Sequence, residues 1–257
     1  MSLEGTDLDK LALSTEKLLA GTDSKITTVG YYCNPIQYAE HRKTLENVIC
    51  TAGKFGATHV STFAGAWEGK PVESAYEEFG KVFRELADLA EEKGVKLGIE
   101  NCLMDGTWEH ATCNIGFNPK AWEVMFEEVK NDNFGLEWEP THQMVQLIDP
   151  VTELRKWCKK IVHIHGKDAT IDWDAVTHSG ISGAVPFVWP RMPVFGDTNW
   201  RDIISILRSN GYEDDICIEG YHDPVYSGEL EMTGQLHALN YLKWCRGGDF
   251  TPTPWAK

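Results

Sequence analysis

"KIVHIHGKD", residues 160–168, reads as a buried β-strand that carries two histidines one residue apart. Side chains of a strand alternate between its faces, so His163 and His165 point the same way. A buried imidazole is most simply a core group satisfied by a neighbouring hydrogen bond. Two on one face also suit a metal site. What the rest of the chain brings to the same strand end decides between these readings.

Outward from this strand the pattern is helix and strand in turn. On the N-terminal side, "DLDKLALSTEKLLA" (7–20) has helical apolar spacing, "KITTVGYY" (25–32) is β-rich, and 41–55 reads as helix. Strand 58–65, helix 73–93, strand 95–102, helix 121–129, strand 134–140 and helix 150–158 follow. On the C-terminal side come a long loop, helix 200–210, strand 215–220 and a last helix over 234–245. Repeated βα units with apolar strands predict an α/β fold with a parallel sheet.

Polar residues decide which α/β fold. Glu100, Glu139, His165 and Glu219 each stand at the C-terminal end of a different strand, the edge on which barrel active sites are built. The expectation is a (β/α)8 TIM-barrel type domain over 1–257. Six strands are legible rather than eight, so the first one or two are lacking or truncated. Unpaired edges of that kind invite a partner, and a homo-oligomer is one option.

Composition narrows the function. At 257 residues with 42% hydrophobic and 25% charged residues, the chain can bury a full core, and no apolar run is long enough for a bilayer. Met1–Lys10 is polar and acidic rather than basic then apolar, so a cytoplasmic protein without membrane contact is expected. Seven cysteines, an odd number without a CxxC pair, predict reduced thiols. A formal charge of -15 disfavours nucleic acid and agrees with a small neutral substrate and a cation. Three carboxylates and one histidine form an oxygen-rich donor set for one divalent ion, with Mn2+ first and Mg2+, Co2+ or Zn2+ as alternatives.

Five motifs in order, "GIEN" (98–101), "EPTHQ" (139–143), "HIHGKD" (163–168), "FGDTNW" (195–200) and "CIEGYHDP" (217–224), resemble those of the xylose-isomerase-like TIM-barrel family of sugar isomerases, epimerases and inosose dehydratases. The resemblance runs from about residue 25 to 245. It implies that Glu100, Glu139, His165 and Glu219 are the metal ligands and that His142 contacts substrate. It further implies that Glu100 and Glu219 lie on opposite faces of the substrate, one removing a proton and the other returning it. The family usually has Asp where Glu139 stands, which leaves Glu137, on the same face, as a competing ligand. Ketose 3-epimerases carry a substrate-binding Arg where this chain has Ile171, and Arg191 is a candidate substitute.

The activity expected on these grounds is isomerisation or epimerisation of a sugar, keto-sugar or cyclitol, through proton abstraction next to a carbonyl and a metal-stabilised enediolate. A metal-dependent lyase or dehydratase acting on a related keto-sugar or oxidised glycoside remains open, as does a non-catalytic barrel that binds a sugar or a partner. Lys167 is either half of an ion pair with Asp168 or a substrate contact, and His163 is the core histidine of its pair. Two long loops, 104–118 and 169–196, supply Trp108, Phe187 and Trp189, which together with Trp67 offer faces for a sugar ring.

Overall fold

The computed structural model describes residues 6–247. It divides into two compact units, the first comprising the chain up to Gln143 together with Lys160–Ile164, the second Met144–Lys159 with the chain from His165 onward.

In the first unit strands β1 (Thr28–Gly30), β2 (His59–Thr62), β3 (Lys96–Glu100) and β4 (Phe134–Trp138) pair in parallel, in chain order, and β4 pairs with the start of β5 (Ile161–Gly166). Every residue of β2 and β4 is buried, as expected of parallel strands covered on both faces. Helices α1 (Leu8–Leu19), α2 (Ala39–Thr51), α3 (Tyr76–Glu92) and α4 (Pro119–Glu128) alternate with them, and α5 (Pro140–Met144) begins directly after β4. On α3, Phe79, Val82, Phe83, Leu86, Ala87 and Ala90 recur every three or four positions and are buried. The rings of Phe79 and Phe83 lie 4.6 Å apart and both approach Phe134 of β4, at 6.2 and 6.0 Å. Each buried ring contributes roughly 1.5–3 kcal/mol, enough to hold helix to sheet.

Between β4 and β5 the register slips by one residue: Leu136 faces Ile161, but Glu137 faces His163. Gly135 permits this. A Cβ there would lie 2.4 Å from the Lys160 carbonyl oxygen and 2.6 Å from Val162 Cγ1, so a side chain would push the strands apart.

In the second unit β8 (Ile216–Ile218) follows β5 in the sheet, completing six strands in the order β1-β2-β3-β4-β5-β8. Around it are α6 (Pro150–Trp157), α7 (Trp173–Ser179), α8 (Trp200–Ser209) and α9 (Glu231–Arg246). Among the described residues six strands stand in this sheet where a complete (β/α)8 barrel has eight, in line with the expected fold class. No described helix is long and apolar enough to cross a membrane.

Three expectations need correction. Strands are shorter than the apolar runs: 25–32 keeps only Thr28–Gly30, and 215–220 keeps Ile216–Ile218. The stretch 169–196 is not a plain loop; it contains α7 and an antiparallel hairpin of β6 (Asp168–Ile171) and β7 (Val188–Arg191). Pro190 disguised β7, since proline cannot donate to a ladder and is tolerated here on a two-stranded edge. The tetrapeptide "EPTH" is already helix from Pro140, not strand end, because proline suits the first turn of a helix.

Candidate metal centre

In the first unit, β3 ends on Glu100 and β4 ends one residue before Glu139. Glu100 pairs in register with Glu137, so Glu139 stands two residues further along the same face of the neighbouring strand. Asn101 joins the two strand ends. Its Nδ2 donates to the Glu139 carbonyl at 2.9 Å, and the Glu139 N–H donates to its Oδ1 at 2.7 Å. Glu139 is fully buried and Glu100 is 7% exposed. Carboxylates rarely sit so deep unless cations or strong donors compensate them.

Glu139 Oε1 lies 3.2 Å from His142 Nε2, one turn on in α5. The turn is fixed by Trp138, whose indole N–H donates to Gln143 Oε1 at 2.8 Å. Ligand atoms of Glu100, Cys102 and His142 all fall within 4.8 Å of one another.

Glu137 has its own partners. Tyr32 donates its hydroxyl to Glu137 Oε2 at 2.8 Å, and His163 Nε2 lies 3.8 Å from Oε1. His163 is buried beside Thr28, whose hydroxyl is 3.4 Å from Nδ1, and its ring centroid is 5.8 Å from that of His59. These contacts place His163 in a buried polar layer. Sequence reasoning singled out neither Tyr32 nor Asn101, because a lone Tyr or Asn after a strand carries no pattern.

In the second unit, His165 Nδ1 lies 3.0 Å from Glu219 Oε2, so the two predicted ligands of this unit are brought together. The buried Lys167 ammonium reaches Glu219 Oε1 at 3.1 Å and lies 5.9 Å from the Tyr221 ring centroid. Asp168 accepts from Ala169 N at 2.8 Å, Thr198 N at 3.0 Å and Trp200 Nε1 at 2.9 Å. Burial pushes its pKa up to about 6, and those hydrogen bonds only partly offset the rise. This explains "FGDTNW". A Cβ on Gly196 would lie 2.3 Å from Asp168 Oδ1, so only glycine lets the loop reach the carboxylate.

Arg191, at the end of β7, places Nε 3.4 Å from Asp223 Oδ2 and its guanidinium 5.8 Å from the Phe195 ring centroid. Burial acts to raise the Asp223 pKa, but N–H groups of Tyr226, Met192 and Val225 and the charge of Arg191 outweigh it and leave it below the usual value. Of the aromatic candidates, Trp108 edges onto Phe117 at 6.3 Å and donates its indole N–H to Glu73. Trp67 is half-buried, whereas Trp189 is exposed.

The donor set fits a divalent cation. Strand-end carboxylate oxygens and an imidazole are its donors, and buried Glu100 and Glu139 are carboxylates of the kind a cation compensates.

Comparison with known proteins places the fold. An inosose dehydratase of Clostridium tetani is 26% identical over 182 residues, covering 69% of this chain and 57% of that protein. The chain thus spans little more than half the length of this curated relative. Among solved structures, the E. coli 3-keto-D-glucoside 4-epimerase superposes with a TM-score of 0.66 at 13% identity, covering 91% of this chain and 85% of that one. An IolI protein with a bound zinc atom superposes with a TM-score of 0.64 at 21% identity, covering 95% of this chain and 81% of its own. At such identities these two structures speak to the fold. The model of the family described as xylose isomerase-like TIM barrel matches residues 6–243, and the chain belongs to that family.

Proposed function

We propose that the protein is a divalent-metal-dependent enzyme that isomerises or epimerises a sugar, keto-sugar or cyclitol by moving a proton on a carbon next to a carbonyl. Glu100, Glu139, His165 and Glu219 would hold the ion, with Mn2+ the first candidate and Mg2+, Co2+ and Zn2+ the alternatives, in one barrel-type domain over 1–257. When bound, such an ion supplies Lewis-acid polarisation of the substrate carbonyl, which makes the neighbouring proton acidic enough for a carboxylate. The observation that carries the reading is the strand-end carboxylates: Glu100 and Glu139 buried and joined through Asn101, and Glu219 against His165.

In this reading one of Glu100 and Glu219 takes the proton and the other returns it, help of a kind typically worth about 10²–10⁴ in rate. His142, oriented by Glu139, holds a substrate oxygen. Arg191, Trp67 and Trp108 complete the substrate contacts.

A second reading shares the first step and differs in the outcome: a hydroxide leaves β to the carbonyl, as in a dehydratase. Two facts favour it, the curated relative named inosose dehydratase and the buried ammonium of Lys167 beside Glu219. In this reading Lys167 passes a proton to the departing hydroxide, which leaves as water.

The test is bound metal by elemental analysis in the wild type and Glu219→Gln, followed by incubation with keto-sugars and keto-inositols in deuterated water. About one ion per chain that falls away in the variant, with deuterium entering the substrate, supports the reading. Loss of water with a new conjugated double bond selects the dehydratase. No metal after reloading and no exchange leaves a barrel that binds without turnover.

A further inference from the structure

We propose that Glu100, Cys102 and His142 form a zinc site of mixed sulfur, nitrogen and oxygen ligands at the end of β3, sharing only Glu100 with the four-residue set above. Three observations within the first unit carry it. The first is proximity: one ligand atom of each residue lies within 4.8 Å of the others. Ligands of a tetrahedral zinc, at about 2.0–2.3 Å from the ion, stand roughly 3.3–3.8 Å apart, so these atoms need close by no more than roughly 1–1.5 Å.

The second is rigidity. Glu100 closes β3 and Cys102 follows it by two residues. The backbone that carries them is held from two directions. Asn114 Nδ2 donates to the carbonyls of both Glu100 and Cys102, at 2.9 and 2.8 Å, while Asn114 Oδ1 accepts from Ala64 N and Gly116 N. Asn101, between them, is engaged with the Glu139 backbone. The third is orientation: Glu139 Oε1 stands 3.2 Å from His142 Nε2, the arrangement by which a carboxylate orients a ligating imidazole.

The donor types set the preference. Thiolate and imidazole favour Zn2+ over Mn2+ or Mg2+, which prefer carboxylate oxygen. Among the described cysteines, Cys102 is the one brought within ligand distance of a histidine and a carboxylate. On binding, the thiol proton leaves to solvent and the sulfur bonds the ion; a water completes the fourth position, with no change in oxidation state. Because Glu100 is common to both ligand sets, a point that rests on the function proposed above, zinc at this site withdraws Glu100 from the proton-transfer machinery. Zinc bound at this site would then inhibit, whereas an ion held by the four-residue set activates.

The test uses the full chain stripped of metal and titrated with CoCl2, a spectroscopic stand-in for zinc, then with ZnCl2 and MnCl2. Cobalt should produce a thiolate-to-cobalt charge-transfer band in the near ultraviolet that is abolished in Cys102→Ser, bleached by zinc, and retained in Glu219→Gln. Cys102→Ser should weaken zinc at least about tenfold and leave Mn2+ affinity within about twofold. His142→Asn, checked for folding by circular dichroism, should weaken the band without abolishing Mn2+ binding. One cobalt bound with no charge-transfer band, or a band that survives Cys102→Ser, overturns the site. Failure of the four-ligand reading shows separately, as Mn2+ binding that Glu219→Gln does not alter.

Discussion

Asn101 and Glu139 exchange two hydrogen bonds, side chain to backbone in both directions, at 2.9 and 2.7 Å. The pair ties the end of β3 to the end of β4 and thereby fixes the spacing of Glu100 and Glu139. Asn101→Ala removes both bonds and leaves a buried N–H and a buried carbonyl without them. It should cost about 2–4 kcal/mol of stability, read as a lowered midpoint in urea, and it should reduce bound metal in the folded fraction. Unchanged stability would show that the two strand ends hold their spacing without it.

Gly196 makes a steric prediction. A methyl at this position meets Asp168 Oδ1 at 2.3 Å, and Asp168 is held on three sides. Gly196→Ala should therefore destabilise by about 1–3 kcal/mol, the usual range for overpacking. Thermal unfolding of the two proteins measures it.

The raised pKa of Asp168 gives a pH dependence with a definite sign. Its folded-state value is about 6 against an ordinary 3.8, so between these values the folded protein retains a proton that the unfolded chain has released. Its contribution to stability is fully present below about pH 4 and is lost as pH rises through about 6, by up to about 3 kcal/mol. Asp168→Asn, which does not titrate, should flatten that part of the profile of stability against pH. A wild-type profile that rises through the same window after subtraction of the Asn profile would refute the assignment.

Lys167 separates the two catalytic readings. Lys167→Met removes the ammonium 3.1 Å from Glu219 and keeps most of the stem's volume. If the reaction is a dehydration, water loss should fall by about 10²–10⁴ while solvent exchange of the substrate proton persists. If it is an epimerisation, exchange and turnover should change together.

Tyr32 tests the polar layer. Tyr32→Phe deprives Glu137 of a 2.8 Å donor and should cost about 1–3 kcal/mol without lowering bound metal. Loss of metal instead would return Glu137 to the ligand set in place of Glu139.

Helix and strand order were legible because the apolar periods of this chain are clean: α3 repeats its buried positions every three or four residues, and β4 is apolar or buried throughout. The ends were not. A run such as "KITTVGYY" has the same β-propensity over its whole length, and only pairing with β2 stops the ladder at Gly30. The hairpin of β6 and β7 was hidden for the opposite reason, since Pro190 and Trp189 carry no alternation and form a strand only because Asp168–Ile171 lies opposite.

The alternation of strand and helix, and with it the placement of acidic residues and histidines at strand ends, is legible along the chain because it follows from side-chain periodicity. Which groups touch follows from the tertiary structure: Asn101 with Glu139, Tyr32 with Glu137, Lys167 with Glu219. It also brought Cys102 near His142, two residues with no shared pattern. Contacts across 38 or 105 positions depend on strand register and on the one-residue slip between Leu136 and Glu137, which local propensity does not encode.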